Sequence, residues 1–198
     1  YVNIVAGCAY PGDPRDGILR EAEFEAGPLH ATVENYGATK RACELILQEY
    51  VAMYGLRAVV NRCGLLTGPW QMGKVDQGVV ALWVARHVLQ CGSLQYFGYQ
   101  GTGKQVRDIL HVDDLYRLIT RQLERIDDLR GATFNVGGGP SGAVSLRELT
   151  TLCEAASGQR LQIASNPKPT PADVRIYVSD CRRVEQRTGW TPTRRPDA

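Results

Sequence analysis

The sequence predicts an α/β protein built on a mainly parallel sheet. Three observations carry that expectation. Short segments that read as buried strands, such as residues 1–6, rich in β-branched residues, and 56–66, alternate with longer stretches of helical period. Gly, Pro and Asp gather in the connections between them. No internal repeat or low-complexity tract interrupts the alternation.

Taken in order, residues 1–6 read as a short buried strand ended by Gly7, and the span 11–30 as a loop without a sustained period. A helix is expected over about residues 36–53, with Asn35 as N-cap and Gly55 as its stop. Residues 56–66 read as one further buried strand. Gly68, Pro69 and Gly73 mark a loop before a helix of about residues 78–90. A strand over 94–97 leads into the Gly-rich stretch 98–103. Residues 112–123 read as helix and 133–136 as strand. Ser145 with Glu148 three residues on forms a capping-box pattern for a helix over 145–156, and Leu161-Gln-Ile163 offers a last strand. The chain opens inside an apolar segment with no Met and no preceding turn, which reads as a domain begun in mid-strand.

Composition narrows the function. Hydrophobic residues make up 43% and charged residues 22% of the 198, as in ordinary globular proteins. Basic residues number 23 and acidic residues 21, a net charge of +2 that argues against nucleic acid or polyanion partners. The arginines near the end (182, 183, 187, 194 and 195) are interspersed with acidic residues and read as a solvated face. The apolar run 79–84 is far too short to span a membrane, and no signal peptide is recognisable. The six cysteines lie scattered, without a CxxC pair or a neighbouring His, which suits reduced thiols in a cytoplasmic protein. The three histidines are equally dispersed, so no metal site is expected.

Two glycine motifs invite a nucleotide reading. Gly98-Tyr-Gln-Gly-Thr-Gly103-Lys104 matches GxxxxGK, but Gln105 stands where a P-loop needs the hydroxyl that holds Mg²⁺. Extended residues follow instead of a helix N-terminus, so a turn between strands is expected. Gly137-Gly-Gly139-Pro-Ser-Gly142 matches GxGxxG between a strand and a helix. The second strand then ends in Ser165-Asn-Pro, with no carboxylate for a ribose hydroxyl.

Tyr36-Gly-Ala-Thr-Lys40 is YxxxK on the expected first helix. Spacing i, i+4 puts phenol and ammonium on one face. A free phenol titrates near pH ~10, and a neighbouring cation favours its ionised form, so Tyr36 could exchange a proton with a sugar hydroxyl.

Long ordered blocks surround that pair. Asn35 to Glu44, Asn61 to Gly78, Gly103 to Asp114, Gly131 to Gly138 and Ile176 to Arg183 resemble the extended short-chain dehydrogenase/reductase family, the NAD-dependent epimerases and dehydratases. The second and third blocks most resemble its CDP-paratose 2-epimerase branch. The resemblance implies a partial Rossmann-type parallel sheet with a smaller C-terminal substrate-binding lobe. Residues 1–68 would form the C-terminal part of the NAD-binding lobe, whose Gly-rich N-terminal part is absent. Residues 69–198 would form mainly the substrate lobe, with 106–137 returning to the Rossmann-type lobe.

The resemblance also assigns roles. Tyr36 is the acid/base, and Lys40 holds the nicotinamide ribose and tunes the phenol; Cys63 lies near the nicotinamide. Arg107 contacts the substrate diphosphate, and Gln77 belongs to a block that faces the substrate. The cofactor is NAD, the partner a nucleotide sugar, and a homodimer is possible in the family. The implied activity is epimerisation of a nucleotide-activated sugar through a keto-sugar. Alternatives are a dehydratase, an epimerase-reductase, or a silent nucleotide-sugar binding protein. Ala6 stands where the family carries Ser or Thr, and Thr170 where many relatives carry Arg. Both departures favour the silent alternative, and the chain by itself is expected not to turn over.

Overall fold

Two strands, β1 (Val2–Ala6) and β2 (Ile18–Leu19), precede helix α1 (Tyr36–Tyr54) in this computed structural model. The structure describes residues 2–6, 18–19, 36–73, 78–168 and 175–197, with side chains from residue 39 onward. Gly55 stops α1 at φ +64°, a left-handed conformation that a residue without Cβ adopts at little cost. β3 (Val59–Cys63), β4 (Leu65–Thr67), α2 (Val79–Leu89) and β5 (Leu94–Phe97) follow. A 3-10 turn at Tyr99–Gly101 leads to β6 (Val106–His111), and α3 (Val112–Glu124) starts directly from it, with His111 accepting from the Asp113 N–H at 3.1 Å. Then come α4 (Ile126–Leu129), β7 (Thr133–Val136), α5 (Gly139–Gly142), β8 (Ala143–Ser145) and α6 (Leu146–Ser157). The expected capping box opens α6, with Ser145 and Glu148 each bonding the other's backbone N–H. β9 (Ile163–Asn166), β10 (Ile176–Ser179) and α7 (Arg182–Thr188) complete the described elements.

The strands form parallel sheets. The first has the order β1-β3-β7, and its register puts Ala6, Cys63 and Val136 in one row at the carboxyl edge. The second runs β2-β10-β6-β4 in parallel, with β8 antiparallel to β6. A third pairs β5 with β9. Alternating side chains let β6 serve two cores. Leu110 joins Val59, Leu118, Phe134 and Trp190, whereas Ile109 joins Trp83, Leu94 and Leu149.

Three expectations are refined. The strand read over 56–66 is two strands in different sheets, parted at Gly64. The break falls where a side chain has little room: a Cβ on Gly64 would lie 3.0 Å from Asp108 Oδ1 and 3.3 Å from Ser179 Oγ. The strand expected at 161–163 begins at Ile163, where it pairs residue for residue with β5. The stretch after Gly138 holds α5 and β8, elements too short to leave a period in the sequence. Val184 and Trp190 of the arginine-rich tail are buried in the first core, and its five arginines are exposed. Trp190 Nε1 donates to the Asp114 carbonyl at 2.8 Å, which moors the tail to α3.

Candidate active site

Tyr36 opens α1 and Lys40 stands one turn further on, half-buried. The Tyr36 side chain lies outside the described residues. What fixes the helix is Glu44, one more turn along. Glu44 and Arg62 are each about 1% exposed, and Arg62 donates Nε to Oε1 at 2.9 Å and Nη2 to Oε2 at 2.7 Å. Arg41 adds a bond to Oε2 at 2.8 Å. Burial pushes the Glu44 carboxyl up, but Arg62 and then Arg41 outweigh it and hold the group below its ordinary range. At the other end of α1, a Cβ on Gly131, just before β7, would lie 3.3 Å from Val51. The helix therefore runs antiparallel to the strands, with its N-terminus toward their carboxyl ends. Four residues back along the helix is about 6 Å of axial rise, so the turn that carries Lys40 lies on the carboxyl-end side of Glu44. Ligands of Rossmann-type sheets bind outside such a carboxyl edge.

Cys63 closes β3 and is buried, its Sγ 3.8 Å from the Asn61 carbonyl oxygen. Ala6 pairs with it in register and offers no hydroxyl. Arg107, on β6, is half-buried and donates Nη1 to the Val106 carbonyl at 2.8 Å. It lines a cavity of about 610 Å³ walled by α2, β5, β6 and β8. Trp83, Leu94 and Ile109 form apolar wall, and Gln95, Gln105 and Ser145 add polar groups. Gln77, with Asp76, Asn35, Cys8, Tyr10 and Thr170, lies outside the described residues.

The glycine motifs serve packing. A Cβ on Gly137 would fall 2.0 Å from Asp108 Oδ2, and one on Gly138 would fall 2.1 Å from the Ile109 carbonyl oxygen. The space a pyrophosphate would need is filled by β6 itself. Asp108 is buried, and its Oδ2 accepts the N–H groups of Gly139 and Ser179, each at 3.1 Å. Burial pushes its carboxyl up to about 6, with the bonds from Ser179 and Gly139 pulling back part of the shift. The GxxxxGK stretch is a turn between strands: Gln105 Nε2 donates to the Phe97 carbonyl, and a Cβ on Gly103 would meet the Tyr96 ring at 2.8 Å.

These residues fit one end of a dinucleotide. Lys40 is half-buried one turn before Glu44, toward the carboxyl ends of the parallel strands, and an ammonium suits a ribose hydroxyl. No glycine turn among the described residues fits the pyrophosphate. No group of His, Cys, Asp and Glu among them could hold a metal ion, and no helix among the described residues is long and apolar enough to cross a membrane. Sequence reasoning missed Arg86, the second cation of the cavity. It sits inside the apolar run of α2, and no spacing marks it.

Comparison with known proteins gives the family. The NAD dependent epimerase/dehydratase family matches residues 1–137. CDP-paratose 2-epimerase of Salmonella typhi is 32% identical over 158 residues, 79% of this chain and 46% of the relative. dTDP-glucose 4,6-dehydratase of Streptomyces antibioticus is 28% identical over 182 residues, 90% of this chain and 51% of that protein. The crystal structure of UDP-glucose 4-epimerase from Thermus thermophilus in complex with NAD superposes with a TM-score of 0.80 at 26% identity, covering 97% of this chain and 58% of that one. The chain thus spans about half the length of the curated relatives it matches. It belongs to the NAD-dependent epimerase/dehydratase family.

Proposed function

We propose that the full-length protein epimerises a nucleotide-activated sugar with NAD, by transient oxidation of one ring carbon to a ketone. The observation that carries this reading is the seating of α1. The bidentate Glu44 to Arg62 bond fixes the helix that carries Tyr36 and Lys40 against the strand that ends at Cys63. Bound NAD supplies the hydride acceptor and, later, the donor. Tyr36 takes the proton of the sugar hydroxyl as that carbon is oxidised, and returns it when the ketone is reduced on its opposite face. Lys40 favours the phenolate and bonds the nicotinamide ribose. Cys63 borders the nicotinamide. Arg107 grips the diphosphate, for which a planar fork of donors is suited, and Gln77 faces the sugar.

In this reading residues 1–68 and 106–137 belong to the NAD-binding lobe and the rest of 69–198 mainly to the substrate lobe. Packing of α3 supports the return: Asn61 of β3 and Gln122 of α3 exchange two buried bonds of 2.7 and 2.8 Å. Exposed Ile46, Tyr50, Met53 and Tyr54 on α1 support a homodimer. The likeness to dTDP-glucose 4,6-dehydratase favours a dehydratase as second reading. Product analysis by NMR, after incubating the full-length protein and NAD with CDP-, UDP- and dTDP-sugars, separates the two. Inversion at one carbon without net reductant or loss of water supports epimerisation, and lost water assigns a dehydratase.

A further inference from the structure

We propose that Arg86 is a second diphosphate-binding residue in the cavity that Arg107 lines, an assignment that rests on the nucleotide-sugar reading above. Of the described residues lining that cavity, Arg86 and Arg107 alone carry charge, and no described carboxylate joins them. A nucleotide sugar brings one negative charge on each phosphate. One guanidinium would leave half of that charge unmatched in a site walled by Trp83, Leu94, Ile109 and Leu149.

Arg86 is held ready for this role. Its Nη1 donates to the Cys91 carbonyl at 2.9 Å and lies 3.6 Å from Cys91 Sγ. Gly92 keeps the adjoining space open: a Cβ there would fall 2.1 Å from Nη1 and 3.0 Å from Nη2. Nε is buried without a hydrogen-bond partner. Among the described residues no acidic side chain pairs with the guanidinium. An arginine anchored through one nitrogen, with the rest of its fork uncommitted, loses little rotamer freedom when an anion arrives. The turn between α2 and β5 therefore does more than connect. It braces a cation at one wall of the cavity, and β6 supplies the other cation.

The test is calorimetric titration of CDP and UDP into the full-length protein and its R86Q, R86K and R107Q variants at low and high salt. R86Q is expected to weaken both nucleotides by about 10- to 100-fold and to flatten the salt dependence, as loss of one charge-assisted contact would. R86K, which keeps the charge without the fork, is expected to fall between wild type and R86Q. The inference is overturned if R86Q binds as tightly as wild type, if its loss leaves the salt dependence unchanged, or if R86K binds no better than R86Q. Should R107Q alone weaken binding, the nucleotide site stands and the role of Arg86 falls. Should wild type bind neither nucleotide, both fall.

Discussion

Glu44 on α1 and Arg62 on β3 form a two-point ion pair in the protein interior, at 2.9 and 2.7 Å, eighteen residues apart in sequence. This pair joins the helix that carries Tyr36 and Lys40 to the strand that ends at Cys63. Two buried charges cost much desolvation, so they contribute little net stability over apolar neighbours. What they supply is register. The helix cannot slide along the sheet without separating the guanidinium from its carboxylate.

Removing one partner is therefore expected to be costly. Glu44→Gln leaves the Arg62 charge buried beside a neutral amide, and a loss of roughly 3–5 kcal/mol is expected in urea unfolding of the full-length protein. The Glu44→Leu, Arg62→Met double variant should lose much less, because no fully buried charge is stranded and only the partly exposed Arg41 gives up a bond. Acid should act in the same direction as Glu44→Gln. The folded-state carboxyl lies below its unfolded value, so its contribution is present above the unfolded pKa and is lost as pH falls through the folded one. Equal losses in the single and double variants would contradict this account.

Asp108 has the opposite sign. Burial raises its folded pKa from 3.8 to about 6, so its protonated form favours the fold. Its contribution is fully present below the lower value and fades as pH rises toward the upper one, by on the order of 3 kcal/mol. Asp108→Asn should be well tolerated. The amide oxygen can accept from the Gly139 and Ser179 N–H groups in place of Oδ2, and the amide carries no charge for burial to penalise. Unfolding measured across that pH window should show the slope in wild type and a flatter curve in the variant. Parallel curves would sink the assignment.

Gly137→Ala tests what the GxGxxG stretch is for. Its Cβ would collide with Asp108 Oδ2 at 2.0 Å and Ser179 Oγ at 2.4 Å, so a loss of roughly 1–3 kcal/mol is expected. Gly158→Ala meets nothing within 4 Å and carries only the strain of φ +67°, about 1 kcal/mol. Unchanged stability in Gly137→Ala, paired with weakened NAD binding, would return the motif to a nucleotide role.

Much of the fold was legible because period and punctuation agree. Ser145 with Glu148 marks the start of α6, Gly55 stops α1, and the strand 59–63 is buried at every residue. The break at Gly64 was not legible, since Leu65 and Leu66 continue the run, and the crowding of Asp108 and Ser179 against Gly64 leaves no mark on the local sequence. The same crowding explains why Gly137 and Gly138 imitate a dinucleotide motif. For the site, the YxxxK spacing was local and visible. Its anchoring through Glu44 and Arg62, and the cavity that Arg86 and Arg107 both line, depend on elements distant in sequence.

The central claim is that Tyr36 moves the proton in an NAD-dependent epimerisation. Its most direct test is the rate of NMR-detected inversion of a nucleotide sugar by the full-length protein, wild type against Tyr36→Phe, under saturating NAD. We expect the variant to be slower by about 10²- to 10⁴-fold with its fold intact, the range that loss of a positioned acid/base gives. A variant within a few-fold of the wild-type rate would contradict the account.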